Sequence, residues 1–127
     1  MGPRRVKYLL DSVIVIDHCN GIAAATRYLA EHGAACAISV ITRAEVLAGC
    51  DDAQAELALE LLELFPALPI TTEIADQAAR LRRSERWKLP DALQAAVAIH
   101  HGLTLVTRNT RDFTSDGKLK VLVPYRV

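Results

Sequence analysis

Short apolar runs alternate along the chain with longer segments in which apolar residues recur at helical spacing. The runs have the length of strands and are bounded by charged or turn-forming residues, so they predict buried strands. In chain order they are VKYLL, AACAISV, ALPIT, LTLVT and LKVLVP, the last two separated by the polar turn RNTRDF. Strands that alternate with helices predict an α/β fold with a mainly parallel sheet and right-handed crossovers.

The segments between these runs predict helices. They are GIAAATRYLAEHG, ITRAEVLAGC, DDAQAELALELLELF, TTEIADQAARLRRSERW and KLPDALQAAVAIHHG. Pro90 fits the start of the last of them, where its missing N–H costs nothing, and Gly102 fits its end. The segment SVIVIDHC leaves two alternatives open. Its β-branched content fits a strand, but a short helix after a strand that ends at Asp11 is equally allowed.

Two of the predicted helices carry signals for a cap and for a buried face. Thr42 stands three residues before Glu45, which predicts a capping box at the start of the ITRAEVLAGC helix and an end at Gly49. The next helix opens with two acids and is expected to bury one apolar stripe. The stripe is expected to consist of Leu57, Leu61, Leu64 and Phe65.

Length and composition predict one domain over residues 1–127 that contains a single real core. The chain has 127 residues, of which 51% are hydrophobic, so it is not of the disordered class. No apolar run approaches the roughly 18–20 residues of a membrane-spanning helix. The three cysteines form no CxxC pair, which argues against a disulfide framework and is typical of a reducing cytoplasm. We therefore expect a cytoplasmic protein with no membrane association.

The charges neither predict nor exclude a nucleic-acid partner. The formal net charge is zero, but the charges are unevenly distributed. Basic residues cluster at Arg80, Arg82, Arg83, Arg86 and Lys88, and again at Arg108 and Arg111. Such a cluster fits a solvated helix face as well as a phosphate-binding surface.

Several carboxylates are predicted to meet at one edge of the sheet. Asp11 ends the first strand, Asn109 and Asp112 follow the fourth, and Glu45 and Asp91 stand among apolar residues near helix starts. Ligands in parallel α/β sheets bind at the carboxyl ends of the strands. Each residue also has a plain structural explanation, as a helix cap or as part of a turn. It is their convergence that points to a site.

Carboxylates that converge repel one another and raise each other's pKa, and a bound divalent cation removes that cost. A set of oxygen ligands without His or Cys suits Mg²⁺ or Mn²⁺ better than zinc. The sequence therefore predicts a site for a hard divalent cation.

The same residues resemble the motifs of PIN-domain nucleases. YLLDSVIVID is similar to that family's opening strand and first acidic motif, including a further aspartate, here Asp17. ISVITRAEVLAG is similar to the second motif, with Glu45 as its acid. LPDALQAAVAIHHGLTLVTRNTRDF is similar to the third and fourth motifs, with Asp91 as the third acid. The resemblance covers residues 7 to about 124 and is strongest to the VapC-like toxins of toxin–antitoxin pairs.

The resemblance implies a site and a ligand set. Asp11, Glu45, Asp91 and Asp112 would be the catalytic carboxylates and would bind Mg²⁺ or Mn²⁺. Ser12 and Asn109 would support them, although Asn109 remains an alternative to Asp112 as the fourth ligand. Arg83, Arg86, Arg108 and Arg111 are expected to contact RNA phosphates. Val13 departs from the family pattern, in which this position is usually Asn or Ser.

The resemblance also implies a fold and an activity. The fold would be a three-layer α/β/α PIN-like domain with a central, mainly parallel sheet of four to five strands. The activity would be Mg²⁺- or Mn²⁺-dependent endoribonucleolytic hydrolysis of RNA by the toxin of a type II toxin–antitoxin system. Its partners would be RNA, a cognate antitoxin and a second copy of the chain in a homodimer. The alternative is a non-catalytic PIN-like module that binds metal or protein.

Overall fold

The computed structural model describes residues 5–110, 113 and 118–127. In this part of the chain five strands form one sheet in the order β3-β2-β1-β4-β5, and every pair of neighbours is parallel. The strands are β1 (Tyr8–Leu10), β2 (Cys36–Ser39), β3 (Ala67–Leu68), β4 (Thr104–Val106) and β5 (Val121–Leu122). All five lie within the apolar runs that predict them.

Helices connect the strands. They are α1 (Ser12–Cys19), α2 (Ala23–His32), α3 (Val40–Ala48), α4 (Asp52–Leu62), α5 (Thr72–Glu85) and α6 (Leu89–His101), with a short 3₁₀ turn at Gly33–Ala35. The order changes direction at β1, which lies between β2 and β4. This switch point at the carboxyl end of β1 is where an α/β sheet opens a crevice for a ligand.

The two faces of the sheet carry separate cores, which gives the molecule three layers. Leu9 and Leu10 are adjacent in β1 and point to opposite faces, as successive strand residues do. Leu9 packs in a core with Ile74 of α5 and Val97 of α6. Leu10 packs in a second core with Ile14 of α1 and Val46 of α3. The predicted three-layer α/β/α architecture is confirmed.

The ambiguous segment SVIVIDHC is a helix. Asp11 has an extended backbone and its side chain accepts a hydrogen bond from the Ser12 backbone N–H, so the carboxylate both ends β1 and caps α1. Ile14 and Val15 are buried, whereas Ile16 is partly exposed. A helix after the strand turns the chain at the sheet edge, which a continued strand would not do.

The predicted capping box of α3 is wrong. The helix begins three residues earlier, at Val40, and its N-cap is Ser39, whose hydroxyl accepts from the Thr42 backbone N–H at 3.3 Å. Thr42 and Glu45 thus lie inside the helix, one turn apart on the same side. The predicted end is confirmed, because α3 closes at Ala48 with Gly49 as C-cap.

The predicted buried stripe of α4 is wrong in part. Leu57 and Leu64 are 71% and 64% exposed, and the core side consists of Ala58, Leu62 and Phe65. A capping box is present at the start of α4, because the Asp51 carboxylate and the Gln54 side chain accept hydrogen bonds from each other's backbone N–H groups.

In the described residues, none of the helices is both long and apolar enough to cross a membrane.

Candidate active site

Asp11 is held rigidly at the carboxyl end of β1. Leu10 pairs with Val106 of β4, and the Asp11 backbone N–H donates to the Val106 carbonyl at 2.9 Å. The Asp11 Oδ1 atom accepts from the Ser12 N–H at 2.9 Å, and Oδ2 accepts from the Thr107 hydroxyl at 2.7 Å. Asp11 is only 6% exposed. A carboxylate fixed through both oxygens is well placed to act as a ligand of defined geometry.

Gln94 of α6 connects three elements beside this carboxylate. Its amide oxygen accepts from the Ser39 hydroxyl at 2.7 Å, and its Nε2 donates to the Thr42 hydroxyl at 2.6 Å. The same Nε2 lies 3.5 Å from Asp11 Oδ1, at the limit of a hydrogen bond. Thr42 in turn donates to the Leu10 carbonyl at 3.2 Å. This buried network locks α3 and α6 onto the end of β1.

Glu45 lies at the rim of the same site. Burial of part of its side chain raises the pKa of the Glu45 carboxyl, a hydrogen bond from the Ser12 hydroxyl opposes the rise, and the charge of Asp11 adds to it. The structure thus brings Glu45 close to Asp11 and to Ser12. Its outer side remains exposed to solvent.

Asp91 stands in the first turn of α6, one turn before Gln94. Because α6 precedes β4 and runs against the strand direction, its first turn lies at the edge where β1 and β4 end. Residues three apart share a helix face, so Asp91 and Gln94 lie on the same side of α6. Asp91 is half-buried, and Gln94 beside it contacts the Asp11 carboxylate.

The fourth motif is described as far as Thr110 and again at Phe113. The Asn109 backbone N–H donates to the Thr107 hydroxyl at 3.0 Å. The same hydroxyl donates to Asp11, so Thr107 connects the two residues. Asp112 and Arg111 lie outside the described residues, so the choice between Asn109 and Asp112 stays a prediction. Over residues 5–110, 113 and 118–127, no group of three or more His, Cys, Asp or Glu side chains is placed to hold a metal.

Asp17 forms a second buried centre next to the site. Its carboxylate accepts from the Arg108 Nε at 2.6 Å and Nη2 at 2.9 Å, and from the Tyr125 hydroxyl at 2.8 Å. The Arg108 hydrogen bond lowers the pKa of the Asp17 carboxyl, against the opposing effect of burial. Arg108, predicted to contact RNA phosphate, therefore also has a structural partner inside the protein.

Arg83 and Arg86 lie at the corner between α5 and α6. Both are exposed, and Arg86 is the C-cap of α5 in the left-handed conformation, with φ 60°. The corner precedes the first turn of α6 and so lies at the same edge as Asp91. Their predicted contact with phosphate stays a prediction, and the position agrees with it.

Three supporting groups escaped the sequence-based prediction: Gln94, Thr107 and the partners of Asp17. Gln94 had a usable signal, since it is the polar residue in the apolar stretch ALQAAVAI one turn after Asp91. The sequence signal for Thr107 was weaker, namely a hydroxyl residue directly after a buried strand. Nothing local in the sequence indicates that Tyr125 reaches Asp17, because the two are 108 residues apart.

The donor set at the sheet edge fits a hard divalent cation. The Asp11 carboxylate, Glu45 and the nearby hydroxyls offer oxygen ligands, which Mg²⁺ and Mn²⁺ prefer. Asp11 raises the pKa of Glu45, and a cation between two such acids removes that repulsion.

The chain is similar to known proteins over most of its length. A family model described as PIN domain matches residues 8–115. The chain belongs to the PIN-domain family. Ribonuclease VapC10 of Mycobacterium tuberculosis is 37% identical over 119 residues, which cover 88% of this chain and 90% of the relative. Ribonuclease VapC19 of the same species is 33% identical over 117 residues, covering 83% and 90%.

A solved structure extends the likeness of this PIN-domain chain to three dimensions. The toxin–antitoxin complex from Klebsiella pneumoniae contains a chain that is 34% identical and superimposes with a TM-score of 0.84. The match covers 95% of this chain and 100% of the other. The resemblance to PIN-domain nucleases of the VapC group, drawn from the acidic motifs, is confirmed.

Proposed function

We propose that this protein is an Mg²⁺- or Mn²⁺-dependent endoribonuclease and the toxin of a type II toxin–antitoxin system. The observation that carries the proposal is the Asp11 carboxylate, fixed through both oxygens at the switch point of the sheet with Glu45 beside it. The class of enzyme follows from the relatives, which are ribonucleases of the VapC group over most of the chain. The chain is accordingly a PIN-domain ribonuclease.

The metal ligands would be Asp11, Glu45, Asp91 and Asp112, with Asn109 as the alternative for the last. A bound divalent cation would supply charge stabilisation for phosphodiester hydrolysis and activate water. The chain's own residues set the geometry. Ser12 and Thr107 orient the Asp11 carboxylate, and Gln94, one turn after Asp91 on α6, contacts it.

RNA phosphates would be bound by arginines around the acidic centre. Arg83 and Arg86 lie at the α5–α6 corner, and Arg108 and Arg111 follow β4. A cationic rim brings the RNA backbone toward a carboxylate centre that would otherwise repel it. Binding should therefore weaken steeply as the salt concentration rises.

The partners and the domain organisation are part of the proposal. The similar Klebsiella chain was solved in a toxin–antitoxin complex, which supports a cognate antitoxin as the natural inhibitor here. We further propose a homodimer and a single domain over residues 1–127. The three cysteines are free, which fits a cytoplasmic site of action.

Cleavage of labelled single-stranded RNA by the purified protein tests the activity and the site. We expect cleavage with Mg²⁺ or Mn²⁺, none with a chelator, and loss of activity in Asp91→Asn. Asp76→Asn is the matched control, because Asp76 is an exposed aspartate of α5 and is not one of the predicted ligands. Circular dichroism should show that both variants are folded.

Unchanged cleavage by Asp91→Asn would contradict the assigned site. A wild-type protein that folds, binds the antitoxin and cleaves no RNA with either cation would instead favour the non-catalytic module. Growth arrest on expression, relieved by the neighbouring antitoxin gene, would support the toxin assignment.

A further inference from the structure

A cavity lies between the segments that follow β4 and β5. It has a volume of 260 Å³ and is lined by Arg108, Thr110, Val123, Tyr125, Arg126 and Val127. Two arginines and a hydroxyl supply hydrogen-bond donors, while the valines and the tyrosine ring supply apolar surface. The lining contains no carboxylate side chain among the described residues.

The cavity lies at the same edge of the sheet as Asp11. Arg108 follows β4 by two residues and Tyr125 follows β5 by three, and both strands run parallel to β1. Thr107, which donates to Asp11, directly precedes the first lining residue. A strand of RNA that places one phosphate at Asp11 therefore has the cavity within reach of its neighbouring nucleotides.

The charges of the cavity favour an anion. Asp17 binds Arg108 through Nε and Nη2, and the Nη1 atom of the guanidinium lies outside that ion pair. Arg126 is exposed and takes part in none of the ion pairs found in the described part of the chain. Asp17 offsets the charge of Arg108, whereas none of the ion pairs of the described residues offsets that of Arg126, so among these residues the cavity has an excess positive charge at Arg126.

The rigidity of the wall distinguishes it from a flexible surface crevice. Asp17 is 5% exposed and binds both Arg108 and the Tyr125 hydroxyl, so one buried carboxylate fixes two walls of the cavity. A site whose donors are held in place loses less conformational entropy when a ligand binds.

We propose that this cavity is a subsite for a nucleotide flanking the cleaved bond, in which Arg126 and Arg108 bind the phosphate and Tyr125 contacts the sugar or base. The proposal rests on the ribonuclease function proposed above. A positively charged groove with an aromatic residue is the arrangement that binds single-stranded nucleic acid without strict sequence preference.

The test compares Arg126→Gln with Arg27→Gln, a matched control, because Arg27 is exposed on α2 and does not line the cavity. Binding of a single-stranded oligoribonucleotide is measured at several salt concentrations with a chelator present, so that no cleavage occurs. We expect Arg126→Gln to weaken binding about fivefold and to make the slope of log affinity against log salt shallower by about 0.7. Arg126→Lys should recover most of the affinity.

The outcomes separate this proposal from the proposed function. If the wild type binds and cleaves RNA while Arg126→Gln keeps the affinity and salt slope of Arg27→Gln, the subsite is wrong and the ribonuclease stands. If the wild type neither binds RNA with a chelator nor cleaves it with Mg²⁺ or Mn²⁺, both are wrong. Weaker binding by Arg126→Gln with an unchanged salt slope would also overturn the phosphate contact.

Discussion

Asp17 and Arg108 form a two-point ion pair that joins α1 to the segment after β4, and the Tyr125 hydroxyl completes it from the segment after β5. Asp17 is 5% exposed, whereas the Arg108 side chain is 34% exposed. The pair lies one residue from Thr107, which donates to Asp11. It therefore fixes the edge of the sheet on which the acidic centre is built.

Asp17→Asn should destabilise the fold. The substitution leaves the Arg108 guanidinium without its charged partner. Because Arg108 is partly exposed, water can solvate the guanidinium and reduce the loss. We expect a loss of about 2 kcal/mol in the free energy of unfolding, measured by urea denaturation. Asp76→Asn should change it by less than about 0.5 kcal/mol, since exposed sites away from specific contacts rarely matter more. Equal effects of the two variants would contradict a structural role for the pair.

The acidic centre was predictable from sequence because its position follows from strand ends. A polar residue directly after a buried strand in a parallel sheet must lie at the carboxyl edge, which is the case for Asp11. The buried face of α4 was not predictable, because its leucines fall on two overlapping stripes, one with Leu57 and Leu64 and the other with Leu62. Only the packing against the sheet decides between them.

The amide network at the site was beyond sequence-based reasoning for a related reason. Gln94 meets Ser39 across 55 residues and Asp11 across 83, and such partners are set by how the helices pack on the sheet. The capping box predicted at Thr42 failed because the hydroxyl of Ser39, three residues earlier, caps α3 instead. Thr42 was then available for the buried contact with Gln94.

The stability contributed by Asp17 should depend on pH. Arg108 lowers the pKa of the Asp17 carboxyl below its ordinary 3.8, so the folded state favours the ionised form. The contribution is therefore fully present above the pKa of the unfolded chain and is lost as the pH falls through the lower folded value. The difference in unfolding free energy between wild type and Asp17→Asn should be constant above about pH 5 and shrink below pH 3.8. A difference that grows on acidification would contradict the assignment.

Gln94→Met should weaken both the fold and the activity. Methionine keeps the approximate shape but leaves the buried Ser39 hydroxyl without its acceptor and removes the donor beside Asp11. We expect a loss of about 2 kcal/mol in unfolding free energy and a lower kcat for RNA cleavage. Gln77→Met on α5 is the control, since Gln77 lies outside the site. Normal stability of Gln94→Met would show that the network contributes nothing to the fold.

Glu45→Gln should raise the stability of the fold and lower the RNA-cleaving activity. Burial and the charge of Asp11 make the ionised Glu45 unfavourable in the folded state, so removing the charge relieves repulsion. Because the side chain is partly exposed, we expect a gain of no more than about 1 kcal/mol in a metal-free buffer. RNA cleavage should fall sharply at the same time. Added Mg²⁺ should raise the melting temperature of wild type more than that of the variant, and an equal rise in both would exclude Glu45 as a ligand.

Arg86→Gly tests whether Arg86, the left-handed residue at the α5–α6 corner, contributes to RNA binding rather than to the stability of the fold. Arg86 adopts φ 60°, a conformation that costs a residue with a Cβ about 1 kcal/mol and costs glycine little. Glycine should therefore raise the unfolding free energy by up to about 1 kcal/mol. The greater conformational entropy of glycine in the unfolded chain reduces this gain. If Arg86 binds a phosphate, the same variant should bind single-stranded RNA more weakly and with a shallower salt dependence.

Arg86→Lys, which keeps the charge and the strain, should retain the affinity without the gain in stability. Undiminished RNA affinity in Arg86→Gly would remove Arg86 from the RNA-binding surface.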